Sequence, residues 1–138
     1  MSFRPVYLDA SAIVKLVAVE RESAALIEDL EDWPDRVSSA LAEVEVHRAL
    51  RRVKAPRAVH ERADAVLSRL VLVHIDGPVL SQAASFKDPS LRALDAIHLA
   101  TALSMGDHPE AFITYDARLA AAASKQRLKV AHPGASGL

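Results

Sequence analysis

Asp9 ends the apolar run Val6-Tyr7-Leu8, and Asp116 follows a second run, Ala111-Phe112-Ile113-Thr114, after a single intervening Tyr115. Acids where a strand gives way to a helix have an ordinary use as N-caps or as first-turn charges favoured by the helix dipole. Asp95 lacks so simple an account. It is the only formally charged residue between Arg92 and Asp107, and a carboxylate on a buried helix is costly unless it is paired or bound to a cation. A fourth acid comes from the helix that opens near Ala40. There Glu43 and Glu45 border the apolar arc of Ala42, Val46, Ala49, Leu50 and Val53 on opposite edges, and helical periodicity does not choose between them. Glu45 shares its edge with Leu41, Arg48 and Arg52, so an intrahelical ion pair worth roughly a few tenths of a kcal/mol would also account for it.

If Asp9, Asp95, Asp116 and one of these glutamates converge, their charges dominate the site. At an effective dielectric of about 20, two carboxylates about 4 Å apart repel by about 4 kcal/mol. Such a cluster either takes up protons or demands a cation. The chain has no cysteine, which excludes disulfides and thiolate metal sites and leaves carboxylate oxygens and imidazoles as ligands. An oxygen-rich set suits Mg²⁺, with Mn²⁺ able to substitute. Because Mg²⁺ is commonly held by one or two carboxylates together with substrate phosphate oxygens, the chemistry to expect is phosphodiester hydrolysis.

The elements that must position these acids follow from periodicity and punctuation. Residues 6–8 read as a strand and 12–17 as a helix, with Ser11 as its N-cap. Residues 21–31 are amphipathic and stop at Trp33-Pro34-Asp35, before a short strand at 36–38. Ser39 opens a long helix to about Val53, Pro56 starts the next one to about Leu70, and the two form a helical hairpin. Residues 71–75 look like a buried strand. Gly77-Pro78 turns the chain into a helix from about Val79 to Phe86, and LDAIHLATAL at residues 94–103 is a helix buried on most of its circumference. A strand at 111–114, a helix at 117–126 and an edge strand at 129–131 complete the series, with a frayed tail from His132. Strands alternating with helices at crossover spacing predict one α/β domain over residues 1–138, a mainly parallel twisted sheet of about five short strands with helices on both faces. In such sheets the reactive site lies beyond the carboxyl ends of the strands, where Asp9 and Asp116 stand.

Composition agrees with a single folded domain: 138 residues, 51% of them apolar and 25% charged, are enough for one well-formed core and too few for two. Neither a signal-type segment nor an unbroken apolar run of about 18 residues is present, so a soluble cytoplasmic protein with no membrane partner is expected. The formal net charge of −1 withholds the usual basic signature of a nucleic-acid binder. Any grip on nucleic-acid phosphates must be local, and Arg48, Arg51 and Arg52, with Lys54 and Arg57, supply a basic run that is otherwise a solvated helix face.

At these residues the chain resembles the PIN-domain family, and more narrowly the VapC-type toxins of bacterial toxin and antitoxin pairs. The resemblance rests on YLDASAIVKL at residues 7–16, SSALAEVEVHRALRR at 38–52, LRALDAIHLATAL at 91–103 and ITYDARLAAAA at 113–123. Four blocks in this order span nearly the whole chain. In the second block the family acid lies four residues after the leucine of a serine-x-leucine element and just ahead of an arginine-alanine-leucine element, which selects Glu45 and leaves Glu43 as a surface acid. The family's acidic quartet thus falls on Asp9, Glu45, Asp95 and Asp116, as catalytic and metal-binding residues, with Ser11 and Thr114 as polar groups behind them. The resemblance implies a Mg²⁺-dependent endoribonuclease that acts on structured RNA and is silenced by a cognate antitoxin in the active-site groove. A homodimer is expected as well. Water attack would leave a 5′-phosphate and a 3′-hydroxyl.

Other residues carry weaker signals. His98, three residues after Asp95, could touch the same metal, but it reads as a core histidine with a backbone partner. His47 and His60 read as surface residues and Trp33 as a packing anchor. A haloacid-dehalogenase phosphatase would need an aspartate where Ser11 stands. A receiver would need paired acids after strand one, where Ala10 stands, and a late lysine where Tyr115-Asp116 stands. The alternative of another class is a non-catalytic PIN-like module that docks RNA or protein, usually marked by loss of one or more of the acids.

Overall fold

The computed structural model describes residues 4–106 and 108–137. Five strands form one sheet: β1 (Val6–Leu8), β2 (Arg36–Ser39), β3 (Val71–Val73), β4 (Ala111–Ile113) and β5 (Val130–Ala131). Their order is β3-β2-β1-β4-β5, with every neighbouring pair parallel. From β1 the chain winds to one side through β2 and β3, then returns to the other side at β4. The order therefore reverses between β1 and β4, where an open parallel sheet has its crevice.

The helices are α1 (Ala10–Val17), α2 (Ser23–Leu30), α3 (Leu41–Arg52), α4 (Arg57–Ser68), α5 (Gly77–Ser85), α6 (Ala93–Leu103) and α7 (Ala117–Lys125). Alternation along the strands divides the core in two. Val6 and Leu8 of β1, with Ala111 and Ile113 of β4, face the buried residues of α1 to α4. Tyr7 and Phe112 point the other way, into Leu99 and Ala102 of α6 and Leu119, Ala122 and Ala123 of α7. Helices thus cover both faces, as expected of short apolar strands. On α6 the residues Ala96, His98, Leu99, Ala100, Thr101 and Ala102 are all buried, so α6 is enclosed around most of its circumference. α5 packs against it from outside.

Four local expectations are corrected. Asp9, rather than Ser11, caps α1: its carboxylate accepts from the Ala12 amide while its own backbone stays extended. Ser39 closes β2 instead of opening the helix, although its hydroxyl accepts from the Leu41 amide at 3.1 Å and so serves the helix start. The run at 71–75 yields only Val71–Val73, on an edge of the sheet with Val71 54% exposed. An apolar run of that length is compatible with an edge as well as a centre, and only strand order decides. The segment after β5 is tied down rather than frayed. The Tyr115 hydroxyl donates to the Pro133 carbonyl at 2.7 Å, and Gly134, at φ +85°, passes so close to α2 that a Cβ there would lie 2.9 Å from the Ala25 Cβ. Only glycine combines that backbone conformation with that approach.

Candidate active site

Asp9 leaves the carboxyl end of β1 directly into α1, and Asp116 leaves β4 into α7. The two connections are stitched together: the Asp9 amide donates to the Ile113 carbonyl at 3.2 Å. The Thr114 hydroxyl donates to Asp9 Oδ2 at 2.6 Å and accepts from the Asp116 amide at 3.1 Å. The Ser11 hydroxyl donates to Asp9 Oδ1 at 2.6 Å and accepts from the Tyr115 amide at 3.0 Å. Ser11, in the first turn of α1, and Thr114, directly after β4, therefore clamp the two oxygens of the Asp9 carboxylate. Asp116 accepts from the amides of Arg118 and Leu119 through Oδ1, as the N-cap of α7. The capping reading and the cleft-facing reading of both aspartates hold together.

A cleft of about 640 Å³ opens at this point, lined by Asp9, Glu45, Asp95 and Asp116. Four separate elements bring the acids together: the start of α1, the middle of α3, the first turn of α6 and the cap of α7. Ser11, Arg48 and Arg52 also line it, as do Arg92 and His98, while Val14, Leu41, Val44 and Leu94 give it an apolar lip. Arg51 is exposed and does not line the cleft. Glu43 is exposed on the first turn of α3, whereas Glu45 turns inward and meets His98. Trp33 packs against the core beneath the Arg4 guanidinium.

Two side chains here exceed the sequence reading. His98 is a core histidine, 1% exposed, but its partners are side chains rather than backbone: Tyr7 Oη at 2.7 Å on Nδ1 and Glu45 Oε1 at 2.6 Å on Nε2. Its spacing from Asp95 was the available signal. Arg92, three residues before Asp95, was missed because an arginine in a helix cap position carries no periodic signature. His47 and His60, read as surface residues, are half-buried and meet Nδ1 to Nδ1 at 2.8 Å, and Asp64 lies 2.7 Å from His47 Nε2.

The electrostatics show an excess of negative charge. Burial pushes the Asp9 carboxyl above its ordinary range, against the pull of His98, Ser11, Thr114 and the Ala12 amide. Asp95 is raised to about 6, first by burial and then by the charges of Asp116 and Asp9. With the folded value above the ordinary 3.8, ionising Asp95 opposes folding. The penalty is absent below about pH 4, grows as pH rises and is complete above about pH 6. We expect the melting temperature of Asp95→Asn minus that of the parent, both in chelator, to widen across this window and then level off. A difference independent of pH would contradict the charge environment described.

Comparison with known proteins places this geometry. A profile of the PIN domain matches residues 6–125, and the chain is 44% identical over 133 residues to ribonuclease VapC35 of Mycobacterium tuberculosis, covering 94% of this chain and 97% of that protein. The chain belongs to the PIN-domain family, in its VapC-type branch. Solved PIN-type structures share its fold. VapC20 of Mycobacterium tuberculosis, described as a sarcin-ricin loop cleaving toxin, superposes with a TM-score of 0.68 at 18% identity, over 85% of this chain and 94% of that one. VapBC2 of Rickettsia felis, bound to a DNA fragment from its promoter, gives 0.72 at 13% identity, over 94% and 98%. Among the described residues, no helix of this PIN domain is long and apolar enough to cross a membrane.

Proposed function

We propose that this PIN-domain protein is an endoribonuclease of the toxin type, dependent on Mg²⁺ or Mn²⁺ and silenced by a cognate antitoxin. The observation that carries the reading is the convergence of Asp9, Glu45, Asp95 and Asp116 from four elements into one cleft rimmed by Arg48, Arg52 and Arg92. The ribonuclease name of VapC35 and the toxin description of VapC20 support it. The presence of all four acids weighs against a module that only docks.

The donor set fits a hard divalent ion. It is all oxygen apart from His98, and the Asp95 carboxyl, raised by burial and then by Asp116 and Asp9, is consistent with a bound cation. Among the described residues no three acid or histidine side chains are disposed to hold an ion by themselves. Mg²⁺ keeps several waters and draws ligands from substrate phosphates, so part of its shell would come from outside the chain. When bound, the ion supplies Lewis acidity toward a phosphoryl oxygen and an attacking water. Asp9, Glu45, Asp95 and Asp116 would hold it directly or through water, with Ser11 and Thr114 fixing Asp9. A carboxylate of the quartet accepts the proton of the attacking water, and the products are a 5′-phosphate and a 3′-hydroxyl. The test is cleavage of a structured RNA with and without Mg²⁺ and chelator, with end-group analysis. Cleavage undiminished by chelator, or 2′,3′-cyclic ends, would contradict the proposal.

RNA enters past the arginines. Arg48→Ala and Arg92→Ala are each expected to reduce the slope of log affinity against log salt by about 0.7, the value for one phosphate contact on a single strand, whereas Arg51→Ala, outside the cleft, leaves it unchanged. Binding isotherms at several salt concentrations check this, and equal slopes throughout would remove the arginines from the interface.

The same cleft suits the antitoxin. An arginine can bridge carboxylate oxygens as a cation does, and apolar side chains of a partner segment can lie along the helices within residues 12–31 and 40–70. We expect antitoxin affinity to weaken with Mg²⁺ beyond an inert salt series of matched ionic strength. Affinity indifferent to Mg²⁺ with full inhibition would mean that the partner blocks RNA entry without touching Asp9, Glu45 or Asp95. A homodimer belongs to the same proposal and is checked by sedimentation.

A further inference from the structure

We propose that His98, backed by Tyr7, is a positioning residue that aims the Glu45 carboxylate into the cleft. This rests on the reading of Glu45 as a metal ligand. Tyr7 is fully buried on β1, its ring stacked on Phe112 at 5.2 Å between centres and edge-on to His98 at 5.8 Å. The strand register thus fixes its hydroxyl 2.7 Å from His98 Nδ1. On the opposite side of the imidazole, Nε2 lies 2.6 Å from Glu45 Oε1.

A carboxylate only accepts, so the contact with Glu45 requires the hydrogen on Nε2. The group facing Nδ1 is a phenol, which can donate to a bare ring nitrogen or accept from a protonated one. Tyr7 therefore anchors the ring from the sheet side, and His98 delivers the Nε2–H to one oxygen of Glu45. Glu45 sits mid-helix on a side chain with several torsions to fix. A buried donor anchored in the sheet holds one oxygen and leaves the other uncommitted among the described contacts. Partners of this kind, which orient a metal-binding side chain from behind, typically change metal affinity or activity by roughly 10- to 100-fold.

The test is Mn²⁺ binding without RNA, followed by electron paramagnetic resonance, for the parent, His98→Leu, His98→Gln and Tyr7→Phe. Cleavage is then measured against Mn²⁺ concentration and against RNA. His98→Leu should weaken Mn²⁺ by roughly 10- to 100-fold, and His98→Gln, whose amide can still donate to Glu45, should recover most of it. Tyr7→Phe, which removes one oxygen, should weaken it by roughly tenfold and shift the imidazole nitrogen resonances from their parental positions. KM for RNA at saturating Mn²⁺ should stay unchanged in all three. Should His98→Leu fail to fold, Tyr7→Phe carries the test. Parental Mn²⁺ affinity in Tyr7→Phe with unshifted nitrogen resonances overturns the inference alone. Absence of Mn²⁺ binding by the parent overturns the metal reading and this inference together.

Discussion

Asp95→Asn is expected to reduce RNA cleavage by at least about 100-fold while the metal-free protein melts at a higher temperature than the parent. Both effects have one origin. Asp95 lies half-buried in the first turn of α6, raised to about 6 by burial and by Asp116 and Asp9, and among the described residues no donor is bonded to it. An asparagine keeps the shape and removes the charge. The apo protein then loses a repulsion, and water at the half-buried position keeps the gain small, on the order of the few degrees that accompany 1 kcal/mol in a domain of this size. The catalytic loss is larger, because a divalent ion contributes several kcal/mol of transition-state stabilisation and each 1.36 kcal/mol is about tenfold in rate. Melting curves in chelator and single-turnover cleavage at saturating Mg²⁺ measure the two. Full cleavage by Asp95→Asn under matched metal would remove Asp95 from the site, and lowered stability with lost activity would point to misfolding instead.

Glu45→Gln is expected to lose cleavage on a similar scale, about 100-fold, whereas Glu43→Gln should stay within about twofold, as surface substitutions usually do. The residues are two positions apart on α3 and differ in direction. Glu45 lines the cleft and meets His98 at 2.6 Å, and Glu43 is exposed to solvent. Glutamine at position 45 can still accept from His98 Nε2, so loss there would report the missing charge rather than a broken core. Equal losses in the two variants, or loss only at Glu43, would show that the acid of α3 is wrongly assigned.

The strand ends at Asp9 and Asp116, the isolated charge of Asp95 and the alternation of strands with helices were legible from residue types within short windows. They rest on periodicity and on the cost of burying a charge. The choice between Glu43 and Glu45 was different in kind. Helical geometry left both at the border of the apolar arc, and the resemblance of residues 38–52 to the family selected the one the fold turns inward. Arg48, Arg51 and Arg52 formed one basic run in sequence, yet only Arg48 and Arg52 reach the cleft, since successive helical residues diverge by about 100° and the cleft samples one side.

What the sequence by itself determined is the set of elements and the α/β class, with Asp9, Asp95 and Asp116 as candidates, because each is encoded among neighbouring residues. Strand order decided that β3 is an edge, and the contacts of Pro133 with Tyr115 and of Gly134 with Ala25 decided that the segment after β5 is held. Tertiary structure alone paired His98 with Tyr7, 91 residues away, and with Glu45, 53 residues away. A histidine's partners depend on which strands and helices become neighbours, and no local period carries that information.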